Sequence, residues 1–190
     1  MVKAILLDRD GVLNEEIQGQ YVNSPDDLRV FPFAGHAVSI FNSLGYKCYL
    51  ITNQSGIALG HLTYSTLVEI HNKLFSIIRE CGGKIERVYT CPHLDGDYMC
   101  KCRKPKPGLI LQAADDKDID LTKSWFIGDR PSDIGAAHNA GCPVIAVLSG
   151  FLDHEKIDEL DHGPDAVFQN VLDFAEWLQK ESSSKKSEKV

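Results

Sequence analysis

Short apolar, β-branched runs recur at residues 4–8, 47–53, 87–91, 124–129 and 143–149, each of a length suited to a buried strand and alternating with stretches patterned as helices. In the clearest of these, Leu67, Ile70, Leu74, Ile77 and Ile78 fall on one helical face between Thr63, suited to an N-cap, and Gly82, suited to a stop. Further helices are predicted at 35–44, 107–115, 132–140 and 170–180, the second with Pro107 in its first turn, where a missing N–H is tolerated. Alternating strands and helices imply an α/β fold with a parallel sheet and right-handed crossovers. The carboxyl ends of the strands then lie along one edge, where ligands of such sheets bind. Asp8 ends the first run, Thr52 and Asn53 the second and Asp129 the fourth. Polar groups far apart in sequence therefore converge on one site.

Asp8-Arg9-Asp10-Gly11 sets two carboxylates two residues apart just past the first strand. Anions this close repel unless a cation lies between them, and a hard divalent ion such as Mg²⁺ suits oxygen ligands and bridges carboxylates to phosphate. That combination points to phosphoryl transfer. One carboxylate attacks phosphorus to give an aspartyl phosphate, while Asp10 protonates the leaving oxygen and later deprotonates water. The pattern alone also fits an ordinary turn after a strand. Its companions weigh against that. Thr52-Asn53-Gln54-Ser55-Gly56 offers hydroxyls, amides and backbone N–H groups to phosphate oxygens, and Gly128-Asp129-Arg130-Pro131-Ser132-Asp133 brings carboxylates to a third strand end.

Cys91-Pro92-His93 and Cys100-Lys101-Cys102 gather three thiols and an imidazole, the donor set of a closed, structural Zn²⁺ shell. Residues 94–99 between them are polar and hold a glycine, and would be a loose loop without a metal to shape it. Cys48, Cys81 and Cys142 stand alone in strand or helix patterns and read as small core hydrophobes. Histidines other than His93 have no clustered partner and are assigned no chemistry. Arg103-Lys104-Pro105-Lys106 follows the cluster at once. A solvated basic turn is the plain alternative, but a metal-shaped loop ending this way aims cations at a phosphate. Arg103 can grip it bidentately, and Lys104 can stabilise the group in transfer.

At 190 residues the chain suits one domain, expected over residues 1–180, with a Ser, Lys and Glu tail at 181–190 expected to be disordered. No apolar run approaches the ~20 residues of a membrane span, and the N-terminal run is too short for a secretory signal, so a cytoplasmic location is expected. A net charge of −7 argues against nucleic acid or an anionic membrane as partner, and cysteines without an export signal read as thiols or metal ligands. The expected partner is a small molecule, and the expected state a monomer.

In this order, Asp-x-Asp-Gly, a later Thr, a Lys and Gly-Asp-x-x-x-Asp resemble the haloacid dehalogenase superfamily of phosphatases, over residues 4–150. The resemblance implies a Rossmann-like parallel sheet with helices on both faces, Asp8 as nucleophile, Asp10 as acid and base, and Thr52 as phosphate ligand. It also implies Mg²⁺ held by Asp8, Asp10 and Asp129, and leaves Asp133 either to reach the ion through water or to hold Lys104. CPH followed by CKCRKPKPG, with TNQSGIALG upstream, is similar to a narrower family, the D-glycero-D-manno-heptose 1,7-bisphosphate 7-phosphatases of nucleotide-activated heptose biosynthesis, with the histidinol-phosphate phosphatases as relatives. That family has the zinc-stabilised loop, held here by Cys91, His93, Cys100 and Cys102, and no large cap domain. TNQSG, KPKPG and Gly19-Gln20-Tyr21-Val22 favour the heptose enzymes, whereas Leu59, where they often have Arg, and a short zinc loop lean the other way. The implied substrate contacts are Arg9, Tyr21, Thr52, Asn53, Gln54, Ser55, Arg103 and Lys104, with the second phosphate of a bisphosphate meeting Arg9 or Lys106. An inactive zinc-stabilised binding module, a reading from another class, predicts a broken catalytic set, and this set is intact.

Overall fold

A computed structural model describes residues 1–17 and 21–187. Its strands are β1 (Ala4–Leu7), β2 (Lys47–Asn53), β3 (Ile85–Cys91), β4 (Trp125–Gly128), β5 (Val144–Val147) and β6 (Ala166–Phe168). They form one parallel sheet in the order β3-β2-β1-β4-β5-β6. The helices are α1 (Ala34–Ser43), α2 (Tyr64–Glu80), α3 (Gly108–Lys117), α4 (Pro131–Ala140), α5 (His154–Asp158) and α6 (Val171–Ser187).

Alternation along each strand sends neighbouring side chains to opposite faces. Ile5, Leu7, Cys48, Leu50, Ile145 and Val147 pack against α1, α2 and α6. Ala4, Leu6, Tyr49, Ile51, Val144 and Ala146 pack against α3 and α4. With both faces covered, all four residues of β1 are fully buried, which is why the strands read as continuous apolar runs. Each such Leu or Ile contributes about 1.5–3 kcal/mol. The chain builds outward from β1 through β2 to β3, then returns to the other side of β1 and builds through β4 and β5 to β6. This reversal opens a crevice past the ends of β1 and β4, and Asp8 and Asp129 are the residues that follow those two strands.

Thr63 caps α2 as its position predicts, Oγ1 accepting from Thr66 N at 3.1 Å, and Gly82 follows the helix with φ of +79°. Pro107 stands at the N-cap of α3, one residue before the first turn. Two elements carry no pattern in the sequence: β6 has only three residues, all half-buried, and α5 only five. Helix α6 runs on through residues 181–187, whose composition predicts disorder. Extending a formed helix needs no new nucleus, and the Ser182 and Ser183 hydroxyls bond back to the Leu178 and Gln179 carbonyls. No helix among the described residues is long and apolar enough to cross a membrane.

Candidate active site

Asp8 stands one residue past β1, its N–H donating to Ile127 O of β4 at 2.9 Å, so it enters the crevice between those strands. Lys104 Nζ lies 2.7 Å from Asp8 Oδ1 and 2.6 Å from Asp133 Oδ1, and donates to Ile51 O at 3.0 Å. Asp8, Lys104 and Asp133 are all buried. Asp133 lies in the first turn of α4, where an anion is favoured, and its Oδ2 accepts the N–H groups of Asp129 and Arg130. It therefore secures the turn that carries Asp129 and also touches Lys104, one of the two roles left open for it.

Asp129 is wedged between two glycines. A Cβ at Gly11 or Gly150 would stand 2.2 or 2.1 Å from Asp129 Oδ2, and Gly11 has φ of +81° besides. Space and backbone alike thus require the glycine of the Asp-x-Asp-Gly run. Asp129 Oδ2 accepts from Phe151 N at 2.8 Å, while its Oδ1 is buried with no hydrogen-bond partner among the described residues. Carboxylate oxygens of Asp8, Asp129 and Asp133 lie within 4.8 Å of one another. Buried, oxygen-only and partly unpartnered, this is the donor set of a hard divalent cation.

Burial pushes the Asp8 carboxyl up to about 7, with the Asp133 and Asp10 charges adding to it and Lys104 opposing. Burial and the Asp133 and Asp8 charges likewise raise Asp129 well above the carboxylate range. Burial works to discharge Lys104, but the two carboxylates outweigh it and raise its pKa. An acid raised on folding binds its proton more tightly in the folded state. Its stabilising effect is therefore full below the unfolded pKa of about 3.9 and is lost as pH rises toward 7. A divalent cation competes for the same oxygens. Mg²⁺ is expected to raise the melting temperature more at pH 8 than at pH 5.5. Equal shifts at both values, in paired thermal melts, would exclude these carboxylates as the ion's ligands.

The Asp10 carboxylate does not belong to that set, so the three carboxylates found together are Asp8, Asp129 and Asp133, not Asp8, Asp10 and Asp129. Asp10 Oδ1 accepts from Arg9 Nε, Arg9 Nη2 and Asn14 Nδ2 at 3.1, 3.0 and 2.8 Å, and Oδ2 from Arg9 Nη2 and Gln54 Nε2 at 2.9 and 3.2 Å. Arg9 explains this. Its side chain is 1% exposed, and a guanidinium is buried only with its charge matched. Arg9 still lines the cavity, and its Nη1 is buried with no hydrogen-bond partner among the described residues. Burial would raise the Asp10 carboxyl, but Arg9 and the Asn14 and Gln54 amides hold it below the usual range. His71 on α2, given no role by the sequence, stays neutral because burial, and then the Arg9 charge, lower its pKa to about 3.

A cavity of about 520 Å³ opens over these groups. Thr52, Asn53, Gln54 and Ser55 line one wall. Gln54 Nε2 also donates to Thr52 Oγ1 at 2.9 Å, and the Asn53 amide clamps the Lys104 backbone, accepting from its N at 3.1 Å and donating to its O at 3.2 Å. Tyr21 lines the rim with its hydroxyl 3.4 Å from Ser55 Oγ; Gly19 and Gln20 lie outside the described residues. Arg103 faces the cavity, and its Nη1 donates to His93 O at 3.2 Å. Lys106 is turned away, its Nζ donating to the Asp97 and Cys100 carbonyls, which corrects it as a contact for a second phosphate. Arg130 is a cation of the cavity that the sequence reading misses. It pairs with Glu16 and stacks 4.9 Å over Phe151. Its place directly after Asp129, at a strand end, was the available signal. Leu59 is exposed and is not a lining residue of the cavity.

Cys91 ends β3, and the loop returning from it brings His93, Cys100 and Cys102 to it. Sγ atoms of Cys91 and Cys100 stand 3.7 Å apart and those of Cys100 and Cys102 3.5 Å, with His93 Nδ1 3.4 Å from both Cys91 and Cys102. A tetrahedral ion with ~2.3 Å bonds to sulfur has S···S edges of about 3.8 Å, so the set fits zinc. Against its burial, the Arg103 and Cys102 N–H groups bring Cys100 down to about 7. Burial and the neighbouring thiols raise Cys102.

A family model described as HAD-hydrolase-like matches residues 101–174. A D-glycero-beta-D-manno-heptose-1,7-bisphosphate 7-phosphatase of Neisseria meningitidis serogroup A is 34% identical over 188 residues, spanning 96% of this chain and 98% of its own. A D-glycero-alpha-D-manno-heptose-1,7-bisphosphate 7-phosphatase of Campylobacter jejuni is 39% identical over 147 residues, 77% of this chain and 83% of its own. The crystal structure of a D,D-heptose 1,7-bisphosphate phosphatase from B. bronchiseptica, complexed with magnesium and phosphate, is similar with a TM-score of 0.86 at 34% identity, covering 95% of this chain and 99% of that one. With the sheet and the carboxylates at its switch point, these likenesses make the protein a phosphatase of the haloacid dehalogenase superfamily. Within it, the chain belongs to the family of the D-glycero-D-manno-heptose 1,7-bisphosphate 7-phosphatases.

Proposed function

We propose that this protein hydrolyses the C7 phosphate of D-glycero-D-manno-heptose 1,7-bisphosphate through an aspartyl phosphate on Asp8. The observation that carries the reading is Lys104 Nζ, 2.7 Å from Asp8 Oδ1 in a polar cavity of sugar-phosphate size. An Asp8 oxygen forms a bond to phosphorus as the bond from phosphorus to O7 breaks. O7 takes the electron pair and receives a proton from Asp10, leaving as the sugar hydroxyl. Water then attacks phosphorus and gives a proton to Asp10, and the bond to Asp8 breaks to restore its carboxylate and release phosphate. A dianionic phosphate beside Asp10 adds like charge and raises its pKa toward the protonated form that the first step needs. Held by Asp8 and Asp129, Mg²⁺ would neutralise charge on the phosphoryl oxygens. Lys104, Thr52 and the N–H groups of Asn53 and Ser55 bind those oxygens, the Gln54 N–H being held by Cys91 O at 2.7 Å. With Lys106 turned elsewhere, Arg9, Arg103 and Arg130 are the cavity cations available to the phosphate at C1.

The reading includes a structural Zn²⁺ on Cys91, His93, Cys100 and Cys102, which shapes the loop carrying Arg103 and Lys104 to the cavity. About one zinc per chain is expected, lost or weakened in Cys100→Ser, with melting temperature and kcat/KM falling together. Elemental analysis finding no zinc in protein purified without chelator would refute it.

The test of the substrate is phosphate release at matched Mg²⁺ from both anomers of the heptose bisphosphate, the heptose monophosphates, fructose 1,6-bisphosphate and histidinol phosphate. A heptose bisphosphate is expected to exceed histidinol phosphate in kcat/KM by at least about tenfold, because binding energy from the C1 phosphate helps to orient the C7 group. Preference for histidinol phosphate would overturn the substrate and leave the phosphatase chemistry intact.

A further inference from the structure

We propose that Arg9 is a positioning residue that fixes the Asp10 carboxylate at one place on the cavity wall, where its proton meets the leaving oxygen. The proposal rests on Asp10 being the acid. An arginine between two carboxylates at a phosphate site would ordinarily be read as a phosphate ligand. Here its side chain is 1% exposed, and Nε and Nη2 both turn onto Asp10 in a fork that grips the two carboxylate oxygens at 2.9–3.1 Å, which leaves only Nη1, buried and unpartnered among the described residues, for anything else. Its backbone works to the same end. The Arg9 carbonyl accepts the N–H groups of Val12, Leu13 and Asn14 at 3.3, 2.8 and 3.3 Å. That turn returns Asn14 to Asp10, where Nδ2 donates to Oδ1 at 2.8 Å. One residue thus holds the carboxylate directly by its side chain and, through the turn, by a second donor. Gln54 supplies the remaining contact from the cavity side and joins it to Thr52 Oγ1. The acid's place is thereby tied to the wall that takes the phosphate. Among the described residues Asp10 has no other ion-pair partner.

The rival account is that Arg9 merely neutralises a half-buried carboxylate and supports the fold. The two differ in how they treat leaving groups. kcat/KM reports events up to leaving-group departure, and a sugar alkoxide needs a proton to depart, whereas p-nitrophenolate does not. Arg9→Lys is expected to lower kcat/KM on the heptose bisphosphate by about 10²-fold and on p-nitrophenyl phosphate by less than about threefold. Asp10→Asn should show the same selectivity, more strongly. Activity on the aryl ester certifies folding in the same sample. Asn14→Ala, which removes a donor without disturbing the buried guanidinium, should give a selective loss of about tenfold, and it decides the matter if Arg9→Lys does not fold. Equal losses on both substrates for the Arg9 and Asn14 variants, beside a selective Asp10→Asn, overturn the proposal alone. A non-selective Asp10→Asn removes the acid assignment, and the proposal with it.

Discussion

Asp8→Asn is expected to lower kcat by at least about four orders of magnitude while the protein stays folded. The amide keeps the carboxylate's shape but has no anion to attack phosphorus. Lys104 loses one partner and keeps Asp133 at 2.6 Å, so no buried cation is left alone. The wild-type carboxyl is itself uncomfortable, pushed up to about 7 chiefly by its burial. An amide carries no such burden, so the Mg²⁺-free variant should melt no lower than wild type at pH 8. It should also gain less from added Mg²⁺, having lost one oxygen anion of the set. Phosphate release and thermal melts on the same preparation check both halves. Activity within a few-fold of wild type would remove Asp8 as nucleophile, and a collapsed fold would show that the side chain is needed for structure.

Lys104→Met should damage both stability and turnover, because one ammonium answers two buried carboxylates. Removing it leaves Asp8, Asp129 and Asp133 together with no side-chain cation among them, and breaking a buried ion pair from one side costs about 3–5 kcal/mol. For a chain of this size that corresponds to a fall in melting temperature of about 10 °C. Protonation offers the carboxyls an escape. The deficit should therefore be smaller at pH 5 than at pH 8, and Mg²⁺ should recover part of it. Activity should fall by about 10³, since a preorganised charge beside the transferring phosphoryl group is lost. A variant as stable as wild type across that pH range would contradict the burial and pairing described for Lys104.

The strands that carry the site were legible because both faces of the sheet are covered. A strand buried on two sides must be apolar at nearly every position, and the first, second and fourth runs ended in the polar residues that reach the crevice. β6 and α5 escaped because three half-buried residues and a single short helical turn leave no period to detect. The cluster of Cys91, His93, Cys100 and Cys102 was legible from residue type and spacing alone. Charged side chains were not, since sequence names a cation without saying which way it points. Arg9 turns onto Asp10, Lys106 turns back to the Asp97 and Cys100 carbonyls, and Arg130, in a segment rich in carboxylates, faces the cavity. Asp133 was ambiguous for a related reason. Its place depends on the backbone N–H groups of Asp129 and Arg130, which only the folded turn presents to it.

The most direct test of the account is to catch the phosphoryl group on the protein. Enzyme mixed with the heptose bisphosphate and Mg²⁺ is quenched in acid within the first turnover, digested, and analysed by mass spectrometry. The account predicts a phosphate on the peptide containing Asp8, appearing no later than free phosphate and absent from Asp8→Asn. Turnover at full rate with no phosphorylated peptide, or with the phosphate on another residue, would contradict it.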